Sequence, residues 1–106
     1  MSEAQHAVVG RRRLVVAYPD GNTREFEIQI EAPVWTSDEE YHCGVRADDI
    51  LFAGRQRVYG VDAIDALDYA VQFIDTAVAN FRSGDIRWLD GTSYKRVPSS
   101  DKFGWG

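Results

Sequence analysis

The 106-residue sequence is short of several residue types that carry chemistry. It has one cysteine and two histidines. A lone cysteine closes no internal disulfide, so no disulfide scaffold is encoded. One cysteine and two histidines also fall short of a zinc ligand set. No apolar run approaches the ~20 residues that cross a bilayer. Met1 to Val9 lacks the basic start and long apolar stretch of a signal peptide, and the cytoplasm is therefore the expected compartment. Positive charge is not in excess: 12 Lys and Arg face 17 Asp and Glu, for a net charge of −5. That balance argues against nucleic acid as a partner. There is no Gly-x-Gly-x-x-Gly, no phosphate loop with Gly-Lys-Ser/Thr and no calcium-loop spacing. The expectation is a chain without cofactor or metal.

What is present points to one small domain, residues 1–106, with a loose lead-in over 1–10 and a tail over 92–106. Leu14 to Tyr18 is a short apolar run rich in β-branched residues. Pro19-Asp20-Gly21-Asn22 follows, a cluster that suits a tight turn. Phe26, Ile28 and Ile30 then alternate with Glu25, Glu27, Gln29 and Glu31, the period of a half-buried strand. Strand, turn and strand make a hairpin. Tyr41 to Arg46 reads as a third strand, and Ile50 to Tyr59 as a fourth, interrupted near Gly54. Ala32 to Glu40 reads as a loop. Ile64, Leu67, Val71, Ile74, Val78 and Phe81 recur at steps of three and four and predict one long helix over Asp62 to Ser83. Asp62 is its expected N-cap and Gly84 its left-handed C-terminal residue. Ile86 to Leu89 is a short closing strand. The expected fold is α+β: an antiparallel β-meander of three to five strands with the helix on one face. Ile64, Leu67, Val71, Ile74 and Val78 should be buried against Phe26, Ile28, Ile30 and Val45.

Catalysis finds little support. His42 and Cys43 are the one adjacent base and nucleophile, but neighbours on a strand point to opposite faces. A small hydrolase using His42 or Cys43 is the rival reading. Arg11-Arg12-Arg13 reads as a guard against unwanted strand pairing. Negative charge is uneven. Six acids against one arginine lie between Glu31 and Ile50, and Trp35 sits among them. Asp65, Asp68 and Asp75 form a row on the polar side of the helix. Trp35, Asp38, Glu39, Glu40, Asp68 and Asp75 are the candidate binding residues, an aromatic anchor with acids that steer a basic partner. A few-stranded sheet also leaves apolar surface that a homodimer would cover, and a small homodimeric structural protein is the other alternative.

Three motifs carry a resemblance: Tyr-His-Cys-x-Val-Arg at Tyr41 to Arg46, Tyr-Gly-Val-Asp-Ala-Ile-Asp-Ala-Leu at Tyr59 to Leu67, and Gly-Asp-Ile-Arg-Trp-Leu-Asp-Gly at Gly84 to Gly91. Over Tyr41 to Gly91 the sequence resembles an uncharacterised family of small bacterial proteins, a domain of unknown function. The resemblance implies the strand–helix order but brings no catalytic residues. By analogy with small acidic α+β proteins, the expected function is a non-catalytic protein-binding module, an immunity-type inhibitor of a basic toxin or effector.

Overall fold

The computed structural model describes residues 7–36 and 40–94. Its element order is β1 (Val8–Ala17), β2 (Thr23–Glu31), β3 (Val34–Trp35), β4 (Tyr41–Arg46), β5 (Arg55–Gly60), α1 (Ala63–Asn80) and β6 (Asp85–Trp88). All strands join one antiparallel sheet. β1 and β2 form the expected hairpin, with Leu14 opposite Phe26 and Arg12 opposite Ile28. β2 and β3 lie along one edge of β4, and β5 takes its other edge. The chain bends between them at Ala32-Pro33, where proline cannot donate to a ladder. Beyond the helix, β6 returns to the far side of the sheet and pairs with Leu14 to Ala17 of β1. The described fold is α+β: a meander β1–β2–β4–β5 with a closing strand beside β1 and one helix on one face.

Several local expectations need correction. β1 begins at Val8, inside the segment read as a lead-in. Val34–Trp35 is a short strand within the segment read as a loop. The fourth strand begins only at Arg55, because residues 47–54 form a structured turn. Asp48 and Asp49 there hold left-handed backbone (φ 52° and 58°), which aspartate tolerates better than most residues. Their carboxylates accept from the Glu27 and Gly54 amides at 2.8 and 2.6 Å. The tail is not featureless at its start: Ser93 bridges to Arg87, and the Tyr94 amide donates to the Ile86 carbonyl at 3.2 Å.

Asp62 caps the helix as expected. Its carboxylate accepts from the Asp65 amide at 2.7 Å, and Asp65 accepts from the Val61 amide at 3.0 Å. This reciprocal pair satisfies two N-terminal donors. The far end differs from expectation. The C-cap is Phe81 in extended backbone, and Gly84 is not left-handed. Gly84 is small for another reason: a Cβ there would lie 2.8 Å from the Ala17 carbonyl oxygen and from Val16.

The core joins Leu14, Val16, Phe26, Ile28, Cys43, Val45 and Ile86 from the sheet to Ala66, Ala70 and Ile74 from α1. The helix is therefore rolled away from its large apolar stripe. Leu67 and Val78 are only partly buried, and Ile64 is 79% exposed, against the expectation that it packs inside. Gly60 explains the roll. It is buried beneath the first turn of α1, against the backbone of Asp65 and Ala66. Only small side chains fit where helix and strand come this close, so the alanines take the centre. Ile28→Ala, at a site 2% exposed, should cost about 2–5 kcal/mol, whereas Ile64→Ala should stay within about 0.5 kcal/mol. Chemical denaturation of the two variants checks both values. Equal costs would put Ile64 back in the core.

Candidate functional site

The roll of the helix decides what the surface offers. α1 begins over Gly60 of β5, and its far half lies beside Tyr94, which pairs with β6. It thus crosses the sheet obliquely. Phe52, from the turn before β5, fills one side by packing on Phe73 with ring centroids 5.2 Å apart. The other side stays open. A cleft of about 100 Å³ remains between Val71 and Ile74 of the helix and Gly10, Arg12, Ile28 and Ile30 of the β1–β2 hairpin. Leu67 and Ile64 continue the Val71 side of the helix one and two turns earlier. Trp35 lies opposite Tyr41, and Tyr41 opposite Gly60. Opposed residues share a face, so Trp35 is on the helix-bearing face, in the row from which α1 departs. It is 59% exposed, and Val61 and Ile64 beside the helix start are more exposed still. One end of the helix-bearing face therefore presents large apolar side chains to solvent.

Acids flank this end. Asp62 and Asp65 cap the helix, and Asp68 is exposed one turn on, accepting from Gln72 Nε2 at 2.9 Å. α1 contains no basic residue. Glu40 is half-buried where the chain enters β4, and its carbonyl accepts from both the amide and the hydroxyl of Thr36, at 2.7 and 2.9 Å. Asp38 and Glu39 lie outside the described residues. Asp75 does not belong with the others. It is half-buried and accepts from the Tyr94 hydroxyl at 3.1 Å. Tyr94 in turn accepts from Arg12 Nη1 at 2.6 Å, and the Arg12 guanidinium lies 5.5 Å over the Trp88 ring. This linked set fastens the segment after β6 to the helix, a structural task that withdraws Asp75 from the binding list. Nothing in the sequence spacing joins Arg12 to Tyr94, 82 positions apart.

His42 and Cys43 point apart. Cys43 is fully buried on the helix-bearing face. Burial pushes its thiol above the ordinary value, and the Glu31 carboxylate adds in the same direction. A thiol raised this way is a poor nucleophile. His42 is on the opposite face, its ring 5.6 Å from that of Tyr59. Among the described residues no three His, Cys, Asp or Glu side chains gather to hold a metal ion. No helix there is long and apolar enough to cross a membrane.

The outer sheet face carries paired charge over β1 and β2. Arg11 Nη1 lies 3.1 Å from Glu27 and Arg13 Nη2 lies 2.9 Å from Glu25. The Gln29 amide, with Arg11 and Arg13, holds the Glu27 carboxyl below its ordinary range. Because β6 pairs only with Leu14 to Ala17, the arginine run occupies the half of β1 that β6 leaves uncovered. Glu31 is buried on this outer face, 5% exposed, with Arg55 Nε donating to it at 2.9 Å. Sequence alternation places Glu31 on the solvent side, and only the fold brings Arg55 over it.

A family model for a domain of unknown function, DUF6968, matches residues 10–98. The chain belongs to this family. The match takes in all of the described elements except the first two residues of β1, through to the segment that folds back on β6. Neither the curated proteins nor the solved structures contain a match to the chain.

Proposed function

We propose that this DUF6968 member is a non-catalytic protein-binding module whose partner is a basic protein, in the manner of an immunity-type inhibitor of a toxin or effector. The carrying observation is the exposed apolar end of the helix-bearing face, Trp35 with Val61 and Ile64, set against a helix whose ionised groups are all acidic. Large exposed aromatic and aliphatic groups rimmed by charge are the composition of an interface: the apolar centre supplies affinity and the rim steers encounter. A basic partner fits the charge of the rim. The separation of His42 from Cys43 and the burial of the thiol support the non-catalytic part.

Trp35→Ala and Ile64→Asp leave the core untouched and should each weaken association with the partner by at least tenfold, mainly through faster dissociation. Reversing Glu40 and Asp68 to lysine should slow association and flatten its dependence on salt. Surface plasmon resonance with the protein captured from the native cell separates the two effects. Binding that ignores all four substitutions would reject this surface. Light scattering that gave a doubled mass abolished by Ile64→Asp would assign the surface to a homodimer instead.

A further inference from the structure

The two halves of the outer sheet face treat charge differently. Over β1 and β2 each of Arg11 and Arg13 has its own glutamate. Over β4 and β5, Glu31 pairs with two arginines, Arg46 and Arg55, and a third, Arg57, shares their face. Arg46 stands directly opposite Arg55, and Arg57 opposite Gly44. Glu31 takes Arg55 Nη2 at 2.8 Å and reaches Arg46 Nε only at 3.7 Å. Arg57 is exposed and makes no ion pair among the described residues. Like charges opposed across an antiparallel pair destabilise it. Glu31 offsets the Arg46–Arg55 opposition, whereas Arg57, opposite Gly44, faces solvent with no acid of its own among the described residues.

Gly44 makes the arrangement rigid. A Cβ at that position would collide with Glu31 Oε1 and lie 2.5 Å from Arg55 Nε. Its absence lets the carboxylate and the guanidinium lie flat on the strand, with Arg55 only 17% exposed. Arg55 is thus fixed before any ligand arrives, while Arg46 and Arg57 stay accessible on either side. Tyr59 follows Arg57 on the same face, 45% exposed, with His42 beside it at an interplanar angle of 48°. Alternate residues of a strand are about 7 Å apart. This is the order of separation between the phosphate and the base of a mononucleotide.

We propose that the outer face of β4 and β5 binds a phosphate monoester carrying a planar ring, a mononucleotide being the simplest. The phosphate lies on Arg57 and Arg46, and the ring stacks on Tyr59. Arginine suits the phosphate because it presents several donors in a fixed fork, and tyrosine offers a face to any base. The net charge of −5 disfavours a long polyanion but not a ligand with two charges that meets only this local arginine excess. The site lies on the face opposite the proposed protein-docking end and stands independently of it.

The test is an amide-shift titration of the full chain with AMP, with adenosine and inorganic phosphate as separate arms. AMP should shift β4 and β5 amides saturably, and adenosine should bind at least tenfold more weakly. Arg57→Gln should weaken AMP at least tenfold. Tyr59→Ala should weaken AMP severalfold and leave inorganic phosphate unchanged. Both positions are exposed, and a melting temperature within a few degrees of the parent confirms that each variant folds. AMP that leaves β4 and β5 unshifted, equal binding of adenosine, or an Arg57→Gln affinity equal to the parent would overturn the proposal. It would also fall if a polyglutamate peptide shifted these amides and AMP did not.

Discussion

Glu31→Ala should destabilise the fold by about 3 kcal/mol, the low end of the range for breaking a buried ion pair, because Arg55 keeps some access to water. For a chain this size the melting temperature should fall by roughly 12 °C or more. The loss has two parts. Arg55 is left partly buried without its acceptor, and Arg46 and Arg55, opposed across β4 and β5, lose the carboxylate that both contact. Replacing both Glu31 and Arg55 by methionine should cost much less than the sum of the single changes, since no charge is then stranded. A double-mutant cycle by denaturant unfolding reads the coupling. Single changes that simply add would mean that the pair contributes nothing as a pair.

Gly60→Ala is expected to have an effect of similar size. The new methyl would point at the Ala66 amide nitrogen and lie 2.7 Å from the Asp65 carbonyl carbon and 2.8 Å from the Ala66 Cα. These are backbone atoms and cannot swing aside as a side chain can. The start of α1 must lift from β5, which loosens Ala66 and Ala70 in the core and strains the Asp62–Asp65 cap. Overpacking of this kind costs about 3 kcal/mol. Gly10→Ala is the matched control. Its Cβ would meet only Ile30 Cβ at 4.0 Å, so stability should hold within about 0.5 kcal/mol. Equal stability of Gly60→Ala and the parent would show that the helix does not rest on that glycine.

These two sites also show how far the sequence alone could be read. Period-two alternation located β2, and period-3.6 recurrence with Asp62 located α1, because both are local patterns that burial imposes directly. The roll of α1 was not local. The large residues Ile64 to Val78 form the better stripe by size, yet the close approach of Gly60 favours the alanine row, and that contact pairs residues on different elements. The same holds for charge. Glu25, Glu27 and Glu31 look alike on one strand face, but only Glu31 lies over Gly44 and under Arg55. Trp35 and Asp68 could be chosen from composition. The exposure of Ile64, the internal role of Asp75 and the arginine excess on β4–β5 could not, since each depends on which strands neighbour which.

The protein-docking reading is tested most directly by placing a photoreactive benzoylphenylalanine at position 64, and separately at position 13 on the outer face, in the cell that encodes the chain. Irradiation should link the position-64 protein to one protein of high isoelectric point, and Trp35→Ala should abolish that product. The position-13 protein should give none. A product at twice the mass of the chain, an acidic partner, or equal labelling from both positions would contradict the account.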